Sequence, residues 1–424
     1  MSEKLTAPRG TADIFPPESP RWNALEARMH ALAARYGYGE IRTPLFESTE
    51  LFVRGVGEET DIVSKEMYTF TDRGGRSLTL RPEWTAPAVR AALEHHLFSQ
   101  GSLRLYYIGP IFRYERPQKG RYRQSHQFGV ECFGFEGPEA DLEVISLAWE
   151  LVQSHGIRDA TLNLNSLGDE RCRPRYRAAL LEHFRPHLGA MSEDARARAL
   201  SNPLRLLDSK DPADAPYLRS APTLDAFLCE RCREHFDAVT AYLDLAKIPY
   251  VINPRIVRGL DYYERTVFEI TSNVLGAQSS VCGGGRYDHL VASLGGPEMP
   301  AVGFALGIER FLMMLQARGG SEESIRRGIQ AIALGAQART VIAPVVAELR
   351  RRLCIPTFVD YRDRKLLAHL KLADRNGARY ALIAGSDELA SGELVLRDLE
   401  GRSERRLPLG EPRVVAELLV EAGL

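Results

Sequence analysis

The 424-residue chain has little cysteine, almost no net charge and no long apolar run. Its six cysteines, at 132, 172, 229, 232, 282 and 354, are too few for a disulfide framework of the secreted kind. Lys plus Arg number 55 and Asp plus Glu 56. That balance gives no hint of nucleic-acid binding and does not exclude it, because a local basic loop can act inside a neutral chain. No run of eighteen apolar residues occurs, so no membrane span is expected. Met1-Ser2-Glu3-Lys4 leads directly to Pro8-Arg9-Gly10 with no apolar signal region between. A reducing cytoplasm is the expected setting. No internal repeat is visible.

What is present is an ordinary globular balance, 44% apolar and 26% charged, in a chain long enough for two or three domains. Ser19-Pro20 precedes a helical pattern carrying Trp22, Leu25, Met29 and Leu32, with Ser19 as the expected cap. A short strand is expected at Glu40 to Pro44. Residues 66 to 83 read as a hairpin turning at Asp72-Arg73-Gly74-Gly75. Thr85 begins a helix. Leu103 to Tyr107, Ile111 to Tyr114 and Gln127 to Phe133 read as extended segments, Pro138 to Ser154 as a helix and Thr161 to Asn165 as a strand. From about 170 to 250 the texture is helical. Extended segments return at 250–254 and 267–271, and Ala301 to Gly307 runs into a helix. After a linker at 317–328 the pattern becomes βαβαβ, a compact α/β unit.

The densest polar stretch is Phe112-Arg113-Tyr114-Glu115-Arg116-Pro117-Gln118-Lys119-Gly120-Arg121-Tyr122-Arg123-Gln124. It reads as a basic loop between two strands, with guanidinium forks suited to phosphate or carboxylate. Gln127 and Glu131 lie four apart in a strand and share a face, while Phe128 and Val130 share the other. Glu131 in an apolar setting needs a partner, either a protein arginine or a basic ligand. In Arg81-Pro82-Glu83-Trp84-Thr85, Glu83 and Thr85 either hold an ammonium group or cap the helix that follows. Val257-Arg258-Gly259-Leu260-Asp261-Tyr262-Tyr263 and Cys282-Gly283-Gly284-Gly285-Arg286-Tyr287-Asp288 combine polar, aromatic and glycine residues. The second is neither a Walker loop nor a dinucleotide fingerprint. Arg310 opens a helix, where a cation is disfavoured unless an anion binds. Cys229, Cys232 and His235 raise the question of zinc, but no second CxxC accompanies them, and no metal-ligating residues are assigned. No Ser/His/Asp order stands out.

In this order the segments resemble the histidyl-tRNA synthetase family of class II aminoacyl-tRNA synthetases, over nearly the whole chain. Pro8-Arg9-Gly10-Thr11 resembles an N-terminal signature, 21–44 class motif 1, Phe112 to Gln127 motif 2 and Gly303 to Arg310 motif 3. The segments at 258–263 and 282–288 resemble the two histidine-specific motifs. The resemblance implies an α+β fold, a class II antiparallel sheet flanked by helices. A catalytic domain in two parts, 1–170 and 249–320, would enclose a helical insertion at 171–248. An α/β anticodon-binding domain would occupy 329–424, with Arg362, Arg364, Lys365, Lys371 and Arg375 as its basic candidates.

The implied activity is ATP-dependent ligation of L-histidine to tRNA(His) through a histidyl-adenylate, by a homodimer, with Mg2+ neutralising phosphates. Arg113 and Arg258 would be catalytic at the α-phosphate. Arg121 and Arg310 would bind ATP beside them. Glu83, Thr85 and Gln127 would hold the histidine amino group. Glu131 and Tyr263, beside Tyr262, would hold its imidazole, and Gln118 and Lys119 would meet the tRNA. Trp84 stands where the family usually has glycine, and Ser125 where it usually has phenylalanine. A compensating exchange of aromatic volume between the two is one expectation. The alternative to the enzyme is an inactive paralogue that regulates histidine biosynthesis.

Overall fold

A computed structural model describes residues 5–58, 60–118, 120–207, 209, 211–257, 259–275, 280–318, 326–353 and 356–421. Two compact units divide the chain, 1–319 and 320–424.

The first unit is built on an eight-stranded sheet. Its spatial order is Gly39–Glu40, Leu103–Phe112, Gln124–Phe133, Ala301–Gly307, Ser280–Arg286, Glu264–Thr271, Thr161–Ser166 and Tyr250–Ile252. The two outermost pairings are parallel and all the inner ones antiparallel. Helices Ser19–Arg35, Glu139–Ser154, Glu230–Leu245 and Ile308–Ala317 bury their apolar sides in one core on a single face of this sheet. Phe128, Val130, Val302, Phe304 and Leu306 point into that core. By strand alternation their neighbours Gln127, Gly129, Glu131, Gly303, Ala305 and Gly307 lie on the opposite face. Register aligns Gly129 with Ala305, and Glu131 with Gly303. One face is thus packed with large side chains, and the other is a floor of glycine and alanine open to a ligand.

Three local readings of the sequence are corrected. The first helix starts at Ser19 itself after Glu18, and no side chain caps it; the Phe15 carbonyl instead accepts from the Glu18 and Ser19 amides. The segments around 103 and 111 form one continuous strand through Pro110. The proline is tolerated because only Leu105 and Tyr106 of this strand pair on its outer side, so no ladder donor is lost there. The short strand near 40 is confined to Gly39–Glu40.

Between the Thr161–Ser166 and Tyr250–Ile252 strands the chain is helical. Tyr176, Leu180, Phe184, Ala195, Leu218 and Leu224 form a separate small core. The last helix of this excursion, Glu230–Leu245, instead sends Val239 and Leu243 into the main core.

The second unit is a five-stranded sheet in the order Thr357–Val359, Ile329–Ala333, Tyr380–Ala384, Glu393–Asp398, Glu404–Pro408. Its first three strands are parallel and its last two antiparallel. Helices Ala336–Leu353 and Pro412–Glu421 pack on it. Arg362 and Arg364 both pair with Asp360, at 2.7 and 3.3 Å.

Candidate active site

Two adjoining cavities lie on the small-residue floor. The first, about 170 Å³, is lined by Glu83, Trp84, Thr85, Tyr107, Glu131, Tyr262 and Tyr263 among others. The second, about 160 Å³, is lined by Glu115, Arg121, Ser125, Glu309 and Arg310 among others. Arg113, Gln127, Gly283 and Ala305 line both. Arg113 therefore stands where the two meet, its Nε held by the Pro82 carbonyl at 2.8 Å.

In the first cavity Glu131 is buried and has no arginine or lysine partner among the described residues. Hydroxyls hold it instead. Thr85 Oγ1 donates to Oε1 at 2.7 Å, Tyr107 donates to the same oxygen at 3.0 Å, and the Tyr287 hydroxyl donates to Oε2. Burial pushes the Glu131 carboxyl up to about 8; the hydroxyls of Tyr287 and Thr85 pull it down, and nearby Glu83 pushes it further up. Glu83 is the helix cap that one reading of the sequence allowed: its carboxylate accepts from the Thr85 and Ala86 amides at 2.6 and 2.9 Å. Burial still raises its pKa despite those two donors. Gln127 Oε1 is buried and has no hydrogen-bond partner among the described residues. Two raised carboxyls and a vacant amide oxygen suit a ligand that brings donors and positive charge.

Tyr107 and Tyr287 are the site residues that the sequence reading leaves without a role. Tyr287 sits inside the glycine-rich segment at 282–288, but its target Glu131 is 156 residues away in sequence. Tyr107 gives no signal beyond being an aromatic in a strand. Tyr262 and Tyr263 stack at a tilt, 4.7 Å between ring centroids, and Tyr262 meets Tyr287 edge-on at 5.4 Å.

The second cavity gathers cations. Arg310 Nε donates to the Gly120 carbonyl at 2.9 Å, and Arg121 pairs with Glu115 at 3.3 Å. Burial lowers the Arg310 pKa, and the charges of Arg121 and then Arg113 lower it further, with Glu115 opposing them. Guanidinium groups held near one another inside a cavity favour a polyanion. The N-terminal signature is laced to this loop, since the Arg123 amide donates to the Gly10 carbonyl at 2.7 Å. Gly10 has φ of +87°, and a side chain there would strike Arg123.

Gln118 lies at the tip of the basic loop, exchanging backbone hydrogen bonds with Arg121 at 2.8 and 3.2 Å. Lys119 and Arg258 lie outside the described residues.

Trp84 does not refill volume beside Ser125. It lines the first cavity and Ser125 the second. The indole stacks on Tyr107 at 4.7 Å and 6°, with the Arg81 guanidinium 3.4 Å from its ring centroid. Arg81 is fixed in turn by the carbonyls of Pro110 and Thr43 at 2.8 and 2.9 Å.

The sequence reading assigns no metal-ligating residues, and the fold assembles a group whose donor atoms could hold an ion. Asp169, Cys172, Cys229 and Cys232 bring their ligand atoms within 4.8 Å of one another. His235 is not part of that group; its Nε2 lies 3.3 Å from Asp141.

Residues 10–311 match the family model of histidyl-tRNA synthetase, and residues 331–416 match that of an anticodon binding domain. A histidine–tRNA ligase of Desulforudis audaxviator is 48% identical over 408 residues, covering 96% of this chain and 97% of the relative. One from Pelotomaculum thermopropionicum is 47% identical, covering 95% of each. The crystal structure of apo S. aureus histidyl-tRNA synthetase aligns with a TM-score of 0.80 at 36% identity, over 99% of both chains. A Bacillus halodurans protein described as an ATP phosphoribosyltransferase regulatory subunit/histidyl-tRNA synthetase shares the fold, with a TM-score of 0.64 at 22% identity.

Proposed function

Because the chain belongs to the histidyl-tRNA synthetase family, we propose that it joins L-histidine to tRNA(His) at the expense of ATP, through a histidyl-adenylate, releasing AMP and diphosphate. The observation that carries this reading is the sharing of Arg113 and Gln127 by an acidic cavity and a cationic one. Histidine occupies the first and ATP the second, so the histidine carboxylate meets the α-phosphate beside Arg113.

Gln127 Oε1, with Glu83 nearby, receives the ammonium group. Glu131, aligned by Tyr107, Thr85 and Tyr287, receives one imidazole nitrogen, and Tyr263 the other. An apolar amino acid of similar size would leave Glu131 buried without that partner, which is the source of selectivity. As the carboxylate attacks the α-phosphorus, charge builds on its oxygens and Arg113 stabilises it, with Arg258 assigned the same task by resemblance. Arg310 and Arg121 orient the leaving diphosphate. No protein nucleophile is needed, because the attacking groups are the carboxylate and then the terminal ribose hydroxyl of the tRNA. Glu115 and Glu309 supply hard oxygen donors in the ATP cavity, of the kind Mg2+ takes together with phosphate oxygens and water. Bound there, Mg2+ would offset phosphate charge.

Gln118 and Lys119, on the basic loop, meet the acceptor end of the tRNA, and the second unit meets the anticodon arm. We assign the working state as a homodimer in the cytoplasm. Phe46 and Phe70 are 50 and 43% exposed on a small three-stranded sheet, and Leu45, just before its first strand, is 46% exposed, apolar area that a second copy would cover. Among the described residues no helix is long and apolar enough to cross a membrane.

Histidine-dependent exchange of pyrophosphate into ATP, followed by charging of tRNA(His), tests the proposal. Exchange that occurs without histidine, or that fails while histidine still binds, would overturn it; the latter result is that of a regulatory paralogue.

A further inference from the structure

We propose that Asp169, Cys172, Cys229 and Cys232 form a structural Zn2+ site that fastens the beginning of the helical excursion to its end. The sequence holds the signal in disguised form. Cys229-x-x-Cys232 is preceded by Asp169-x-x-Cys172, the same spacing with aspartate in the first place. A search for a second CxxC passes over it. Folding brings the two pairs together although Cys172 and Cys229 are 57 residues apart.

The geometry is that of a single-ion centre. Four tetrahedral ligands at about 2.3 Å from zinc stand about 3.8 Å from one another. The four ligand atoms here already lie within 4.8 Å, so an inward movement of about 1 Å closes the site. Cys229 Sγ is 3.8 and 3.9 Å from the two Asp169 oxygens. Cys172 and Cys232 are buried, as is Asp169. Three amide hydrogen bonds orient the donors before any ion arrives. The Cys229 amide donates to Cys172 Sγ at 3.1 Å, a contact that suits a metal-bound thiolate. The Arg171 and Cys172 amides donate to Asp169 Oδ1 at 3.0 and 3.2 Å, which leaves Oδ2 available.

The surroundings favour this use over plain packing. Cys172 is the N-cap of helix Arg173–Phe184 and Cys229 the N-cap of helix Glu230–Leu245, so both sulfurs stand at helix N-termini. Gly168, with φ of +57°, lies so close that a β-carbon there would stand 2.6 Å from Cys172 Cβ. An apolar contact would not need a buried carboxylate among the sulfurs, and Asp169 has no ion pair among the described residues. Three thiolates and a carboxylate select zinc over Mg2+ or Ca2+. With all four positions taken by protein the site is closed, and its role is structural rather than catalytic.

Closing this site joins the small core of the excursion to the helix that packs into the main core. It also fixes Arg173, next to Cys172, whose guanidinium donates to the Tyr263 carbonyl beside the first cavity.

The test is the metal content of the full-length protein, which needs no aminoacylation assay. Purified without chelator, it should carry about one zinc per chain by elemental mass spectrometry. Cobalt exchanged into the site should give the thiolate-to-cobalt charge-transfer absorption of a tetrahedral centre. Cys232→Ser and Asp169→Ala should lower zinc content at least fivefold, while Cys132→Ser, a core cysteine outside the cluster, should leave it unchanged. A wild-type protein that binds no zinc with its thiols reduced overturns the proposal. So does a Cys229–Cys232 disulfide in freshly purified protein, and so does zinc that survives in both cluster variants.

Discussion

Gly303 stands directly across the strand pair from Glu131, and a β-carbon on Gly303 would collide with Glu131 Oε2. The same β-carbon would lie 3.0 Å from the Tyr287 hydroxyl that holds that oxygen. The carboxylate therefore owes its position to the absence of a side chain on the neighbouring strand. Gly303→Ala should raise the KM for histidine about tenfold or more with a smaller change in the KM for ATP, measured by pyrophosphate exchange. Equal effects on both substrates would show that the substitution disturbs the floor as a whole.

The Glu131 carboxyl, pushed up to about 8 by burial, makes histidine binding depend on pH. Free imidazole titrates at about 6.5. Between these values the pair holds one proton, and one hydrogen bond joins the two groups. Above about pH 8 that shared proton is gone, the neutral imidazole has only its own N–H to give the carboxylate, and the KM for histidine should rise. In Glu131→Gln the KM should be higher throughout, by about 10²-fold, and this alkaline limb should disappear. The limb due to the α-amino group, common to both proteins, serves as the control. A variant profile parallel to wild type would refute the assignment.

Arg113 and Arg310 occupy the ATP cavity differently, and their removal should read differently. Arg113 lies at the junction, where charge develops during the reaction. Arg113→Gln should lower the rate of adenylate formation by about 10²–10³-fold. Arg310→Gln, remote from the reacting carboxylate, should chiefly raise the KM for ATP, by about tenfold. Single-turnover adenylate formation at saturating ATP separates the two.

Ser125 brings no aromatic ring to the second cavity, and Trp84 is committed elsewhere, between Arg81 and Tyr107. Ser125→Phe should therefore tighten ATP by a few-fold whether residue 84 is Trp or Gly, with effects that add. Strong coupling in the double-mutant cycle would restore the idea of compensation.

Arg286 lies within the segment that resembles a histidine-specific motif, yet its guanidinium is buried against Asp141 and also donates to the carbonyls of Phe135 and Gly137. Replacing it by Met should destabilise the fold by about 3–5 kcal/mol, because Asp141 would be left buried with only His235 beside it. Despite its burial, Asp141 is held well below the ordinary carboxylate range by Arg286 and then His235. The stability it contributes is thus present above about pH 4 and is lost as pH falls further through the folded-state pKa. Urea midpoints measured near pH 4 and again near pH 2 should converge between wild type and variant as the pH drops.

Where periodicity carries the information, residue types alone suffice. Gly303-Phe304-Ala305-Leu306-Gly307 alternates small and large, which is the pattern of a strand with a packed face and an open one. Gln127 and Glu131 follow the same period and reach the open face. The arginine-rich loop is equally plain, since five cations among thirteen residues have few other uses between two apolar strands. The donors to Glu131 are different. Tyr107 and Tyr287 come from 24 and 156 residues away, and only the sheet register brings them to one carboxylate.

Local sequence thus determined the strands, their open face and the cationic loop, because side-chain alternation and charge act over a few residues. Tertiary structure decided whether Glu83 caps a helix, what holds Glu131, where Trp84 stacks and which carboxylate joins the cysteines. Each of these depends on the distance between atoms far apart in the chain, and that distance is set by strand pairing and helix packing rather than by neighbouring residues.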